Sequence, residues 1–168
     1  MIFGATPLND CVGAILAHGT RHKDGVFKKG RVLSVADVEL LRAAGHATVI
    51  TARLSADDVP EDDAARQVAQ ALTGANARAQ EPFTGRANVY SSAHGLCVLD
   101  EPRLRALNHL HESLTIATLP GHAVVEPRQM LATVKVIPFA VPRAVLEKAL
   151  AILAAGPLLR VAPFRPLQ

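Results

Sequence analysis

The chain has 168 residues, enough for one domain or two small lobes that bury a core without disulfides or metal. Hydrophobic residues make up 49% and charged residues 20%, which excludes a disordered chain. Aromatics reach only 4%, with one Tyr and no Trp, so the core falls to Ala, Val, Leu and Ile, and no stacking platform for single-stranded nucleic acid is expected.

The net charge is +3. Basic residues are scattered, apart from Lys28, Lys29 and Arg31 and the segment from Arg160 to Arg165. Such a surface suits a phosphate-bearing small molecule better than a duplex, which needs a broad basic face, so no nucleic-acid partner is expected. Cys11 and Cys97 form no CxxC pair, and the opening MIFGATPLND has neither a positive start nor a long apolar run. No stretch approaches the ~18 apolar residues of a membrane span. The expectation is a cytoplasmic protein with no membrane partner and two reduced thiols that pack as small hydrophobes.

In chain order, VGAILAH (12–18) has strand length, and Asp24-Gly25 and Gly30 are turn signals, so RHKDGVFKKGRVL reads as a hairpin with a basic tip. Ser34 to Gly45 is the clearest helix. Ser34 caps it, Asp37 answers back three residues on, and Val35, Val38, Leu40 and Leu41 form its apolar stripe. Gly45 stops it, and ATVITARL (47–54) follows as a β-branched strand. A second helix starts at Pro60, with Glu61, Asp62 and Asp63 in its first turn and Ala64, Val68, Ala71 and Leu72 inward, and ends at Gly74. The polar stretch 75–85 reads as a loop between lobes.

Strands are expected at 86–90, 95–100, 114–119, 124–125 and 130–141, with a short helix from Pro102 to about Leu110. A last helix opens at Pro142 with Val145, Leu146, Ala149, Leu150 and Leu153 on its buried side, and PLLRVAPFRP closes as a strand. The pattern predicts an α+β fold of two small lobes. An αβ hairpin-helix unit spans 1–75, and a strand-rich barrel- or sandwich-like lobe with flanking helices spans 76–168.

No nucleophile elbow, P-loop, dinucleotide fingerprint, HExxH or clustered cysteine site occurs. His22, Lys28, Lys29 and Arg31 are the candidate phosphate ligands, because cationic loop groups and backbone N–H donors are what an anion needs. His94, in SSAHG between strands, is a further candidate acid, base or anion donor. Thr133, Lys135 and Ile137 share one strand face and Val134 and Val136 the other, so Lys135 either snorkels from a half-buried sheet or lines a cleft. His109, His111 and Glu112 make at best a weak ligand set, since residues two apart on a helix face different ways. The acidic run from Asp57 to Asp63 is explained by a helix start. No metal and no catalytic residue is assigned.

The segment ILAHGTRHKDGVFKKGRVLSVADVELLRAAG, continuing to VITARL, is similar to MoeA-type molybdenum-insertion proteins. It is closer still to molybdopterin-binding proteins that in some bacteria are joined to a nucleotidyltransferase domain. Met1 to Gly4, Pro82 to Val89, Leu114 to Pro120 and Ala132 to Pro142 resemble further segments of those proteins, so the likeness runs over nearly the whole chain. The resemblance implies a role in molybdenum cofactor biosynthesis with molybdopterin as ligand. It also implies a downstream or separate α/β domain as the main pterin binder, and a homodimer. No GGxSxG-like run stands in these residues, so the chain is expected to be the N-terminal part, supporting rather than catalysing. Two rivals remain. One is a small metal-dependent hydratase-like or sugar-acid-processing domain using His109, His111 and Glu112. The other is a carrier module modified at Lys135.

Overall fold

The computed structural model describes residues 1–137 and 139–165. The fold is α+β, with short, mostly antiparallel strands in several small sheets and four α-helices among the described residues. None of those helices is long and apolar enough to cross a membrane. The chain divides into two compact units, Met1–Asp58 and Val59–Gln168.

The first unit contains β1 (Ile2–Pro7), a 3-10 turn at Leu8–Asp10, β2 (Ile15–Leu16), β3 (Thr20–His22), β4 (Gly25–Phe27), α1 (Val35–Ala43) and β5 (Thr48–Arg53). β5 is the centre of an antiparallel sheet ordered β1-β5-β2, with Ala5 opposite Ile50 and Leu16 opposite Thr51. Leu8, Cys11, Leu16, Phe27, Leu33, Val38, Leu41 and Val49 form its core.

α1 begins and ends where its local chemistry dictates. The Ser34 hydroxyl accepts from the Asp37 N–H, and the Asp37 carboxylate accepts from the Ser34 N–H at 3.0 Å, completing a capping box. Gly45 (φ +86°) takes the left-handed stop, and the His46 N–H closes back on the Leu41 carbonyl at 3.1 Å. Val35, expected inward, is 63% exposed, and the buried place in that first turn belongs to Asp37. The strand expected at 12–18 contracts to two residues, because a turn closes from the Ala14 N–H to the Cys11 carbonyl.

The second unit begins within β6 (Asp58–Pro60) and continues through α2 (Glu61–Leu72), β7 (Ala77–Ala79), β8 (Arg86–Ser91), β9 (Gly95–Leu99) and α3 (Glu101–Asn108). It goes on with β10 (Leu114–Thr118), β11 (Val124–Val125), β12 (Met130–Val136), β13 (Ala140–Pro142), α4 (Arg143–Leu153) and β14 (Leu159–Pro163). Its sheets are ordered β10-β12-β8-β7, β11-β9-β14 and β13-β6. A single core gathers Val68 and Leu72 from α2, Val89, Cys97, Ile116, Val134 and Val161 from the strands, and Leu146 and Leu153 from α4.

The division falls at Asp58/Val59, ahead of the expected 75/76 boundary. The cause is α2, whose Ala64, Ala65, Val68, Ala69 and Leu72 are buried in the second core, where the helix packs on β8 and β12. The expected loop 75–85 contains the edge strand β7, paired with β8 through Arg78 opposite Tyr90. Ala-Arg-Ala carries little strand propensity, and the pairing rather than the local sequence makes it a strand. The strand expected over 130–141 ends at Val136 and is followed by the separate β13, with Pro138 outside the described residues. The expected closing strand likewise runs to Pro166, outside those residues, while β14 ends at Pro163.

In the four-stranded sheet the alternation is clean. Ala87, Val89 and Ser91 of β8 and Ala132, Val134 and Val136 of β12 are buried. The residues between them, Arg86, Asn88, Tyr90, Thr133 and Lys135, lie on the opposite face, joined by Thr115 of β10 and Arg78 of β7. Arg78, Arg86 and Lys135 give that face a cationic character.

Candidate functional site

The expected phosphate ligands lie in the first unit. β3 and β4 pair with Thr20 opposite Phe27 and His22 opposite Gly25, which leaves Lys23 and Asp24 as a two-residue tip. The tip therefore carries one charge of each sign. Lys28 and Lys29 stand on the next turn, after the hairpin, where the Gly30 N–H donates to the Leu16 carbonyl at 2.8 Å. The expectation of one basic tip is corrected, because a two-residue loop closes before the lysines are reached.

His22 and Arg31 come together around Phe27. The imidazole stacks on the ring with centroids 4.1 Å apart, and the Arg31 guanidinium carbon is 4.6 Å from the ring centroid. Arg31 is also committed to Asp37, donating Nε–H to Oδ2 at 3.0 Å and Nη2–H to Oδ1 at 2.9 Å. That guanidinium, with help from the Ser34 N–H and hydroxyl and against the effect of burial, lowers the Asp37 carboxyl to about 2. Arg31 thus braces the start of α1, with Nη1 outside the pair, while Lys28 and Lys29 are exposed.

The remaining candidates lie in the second unit and do not converge. His94 presents Nε2 to the Glu126 carboxylate at 3.4 Å and its ring edge-on to Phe164 at 4.8 Å. His111 Nδ1 lies 2.8 Å from the Ser113 hydroxyl and accepts the Ser113 N–H at 3.1 Å, so it serves a local turn. His109 caps the C-terminus of α3, and Glu112 is exposed. Among the described residues no group of three or more His, Cys, Asp or Glu is placed to hold a metal. Lys135 is exposed on the outer sheet face, directly opposite Arg86 on β8 and Thr115 on β10. Cys11 and Cys97 are fully buried, and burial pushes both thiols up.

A cleft of about 670 Å³ opens at one end of that same sheet face. Arg78 and Gln80 border it from β7 and the residues after it, Tyr90 and Ser92 from the end of β8, and Arg128 from the turn before β12. The Asn88 amide donates to the Tyr90 hydroxyl at 3.4 Å, which ties the phenol to the sheet face. Ser91, also at the cleft, spends its hydroxyl on the Ala93 carbonyl at 2.6 Å. Sequence reasoning missed Arg78, Tyr90 and Arg128, since the first fell in an expected loop and the last in the gap between two expected strands. The signal available was Pro127-Arg128-Gln129, a tight turn with arginine where glycine or asparagine is usual.

Neither a curated protein nor a solved structure matches the chain. Residues 5–53, which run from within β1 to the end of β5, match a domain of unknown function, DUF8806.

Proposed function

We propose that this chain is the non-catalytic N-terminal domain of a cytoplasmic molybdopterin-binding protein in molybdenum cofactor biosynthesis. The observation that carries the reading is the run of family-like segments from Met1–Gly4 and Ile15–Gly45 to Ala132–Pro142. Molybdopterin is a pterin with a terminal phosphate, and the exposed Lys28 and Lys29 beside the Gly30 turn supply cations for such a group. The Gly30 N–H, bonded to the Leu16 carbonyl at 2.8 Å, holds the turn that presents them. The chain's part is to position the pterin or the domain that binds it, and reaction chemistry belongs to that other domain.

Titration of the chain with molybdopterin tests the reading, with a Lys28→Ala/Lys29→Ala double variant alongside. The expected result is binding weakened about tenfold or more in the variant, since two charge-assisted contacts are lost. Size-exclusion chromatography of the same samples reads the homodimer that the resemblance implies. The reading fails if the chain neither binds the pterin nor co-purifies with a molybdopterin-binding α/β domain.

A further inference from the structure

We propose that the cleft bordered by Arg78, Tyr90 and Arg128 binds a phosphorylated small molecule, with the phosphoryl group between the two guanidinium groups and an aromatic remainder against the Tyr90 ring. The inference rests on the second unit alone and stands whether or not the molybdopterin reading holds.

Size comes first. A volume of about 670 Å³ lies within the usual range for ligand pockets, which hold a small molecule and not merely an ion. Charge is the second point. Arg31, Arg42, Arg66 and Arg103 all have carboxylate partners in this chain. Arg78 and Arg128 are exposed at the cleft and have no such partner among the described residues. The one acidic residue that borders the cleft, Glu81, is drawn off to Arg66 at 3.2 Å. Two guanidinium forks without carboxylates match the several acceptor oxygens of a phosphoryl group.

The third point is Arg128 itself. Its turn closes from the Gln129 N–H to the Glu126 carbonyl at 3.1 Å, with Pro127 first and Arg128 second of the central pair. Arg128 has φ +70°, a left-handed conformation that glycine adopts freely and arginine does not. The Arg128 N–H also donates to the Ser91 carbonyl at 2.8 Å, which locks the strained residue onto the end of β8 beside Tyr90. A cation is thus kept at the cleft mouth in a place where local stability favours its removal. Fourth, the chain's one tyrosine stands in this cleft, half-buried, offering an apolar ring face with a polar tip. Ser92 and Gln80, both exposed at the rim, add neutral hydrogen-bonding groups.

Phenyl phosphate and inorganic pyrophosphate are the probes, titrated calorimetrically into the full chain. Four variants accompany it: Arg78→Gln, Arg128→Gly, Tyr90→Leu and, as a control for general charge, Lys148→Gln on the exposed side of α4. The expected result is saturable binding of both probes, weakened tenfold or more by Arg78→Gln and by Arg128→Gly and unchanged by Lys148→Gln. Tyr90→Leu weakens phenyl phosphate severalfold and leaves pyrophosphate alone. Arg128→Gly is expected to keep or raise the melting temperature while it loses ligand, which separates a lost site from a lost fold. Absence of binding at millimolar probe overturns the proposal. So does equal weakening by Lys148→Gln, or indifference to both arginine variants.

Discussion

Lys135 on β12 stands directly across the sheet from Arg86 on β8, and neither has a carboxylate partner among the described residues. Like charges directly opposite on one sheet face are destabilising by a few tenths to about 1 kcal/mol. Lys135→Glu turns that repulsion into attraction. The expected outcome is a melting temperature raised by about 1–4 °C at low salt, with the gain shrinking at 1 M salt as the charges are screened. A melt lower than wild type at low salt sinks the assignment of these two side chains to one face.

The Arg31–Asp37 pair predicts an acid-sensitive first unit. Asp37 titrates near 2 when folded, below an ordinary unfolded carboxyl at about 3.9. A depressed folded value means the contribution is fully present above pH ~4 and is lost as pH falls toward about 2. Asp37→Asn keeps the shape and removes the charge, costing about 1.5–3 kcal/mol near neutrality. Thermal melts from pH 7 to 2 should show the variant flatter than wild type across the acid end. Parallel curves would remove Asp37 as a source of the dependence.

Gly95 tests the sheet on which β9 and β14 meet. A Cβ built there lies 2.1 Å from the Ala162 carbonyl oxygen and 2.8 Å from the Pro163 Cα. Both obstacles are backbone, paired to β9 in register with Ala162 opposite Leu96 and Pro163 opposite Gly95. Gly95→Ala must therefore part the strands, and a loss of about 3 kcal/mol or more in denaturant unfolding is expected. A loss under about 1 kcal/mol contradicts that close approach.

Thr133 hides a hydroxyl whose oxygen finds no partner among the described residues. A polar atom shielded from water without a partner costs more than the methyl that replaces it. Thr133→Val, similar in shape, is expected to stabilise by about 1 kcal/mol. Chemical denaturation reads the change, and clear destabilisation would mean the hydroxyl is satisfied.

The two thiols are expected to react only when the chain opens. Both cysteines are fully buried, and burial raises each thiol above its ordinary value. Labelling with a disulfide-exchange reagent should be about a hundredfold or more slower in the native chain than in denaturant, where two thiols per chain react. Rapid native labelling of Cys97 would place it outside the second core.

By itself the sequence determined whatever is encoded within about a dozen neighbouring residues. The α+β class, α1 with its Ser34 cap and Gly45 stop, β5 after it, and the apolar face of α4 follow from caps, turns and periodicity. The two-faced character of 133–136 was legible as well, because alternation in a strand is local. Tertiary structure alone decided the rest. It assigned α2 to the second unit, made a strand of Ala77–Ala79, set Lys135 against Arg86, and gathered Arg78, Tyr90 and Arg128 around one cleft. Each of these depends on which distant strands pair and in what register. Register is set by burying one whole face of a sheet at once, and no single segment carries that information.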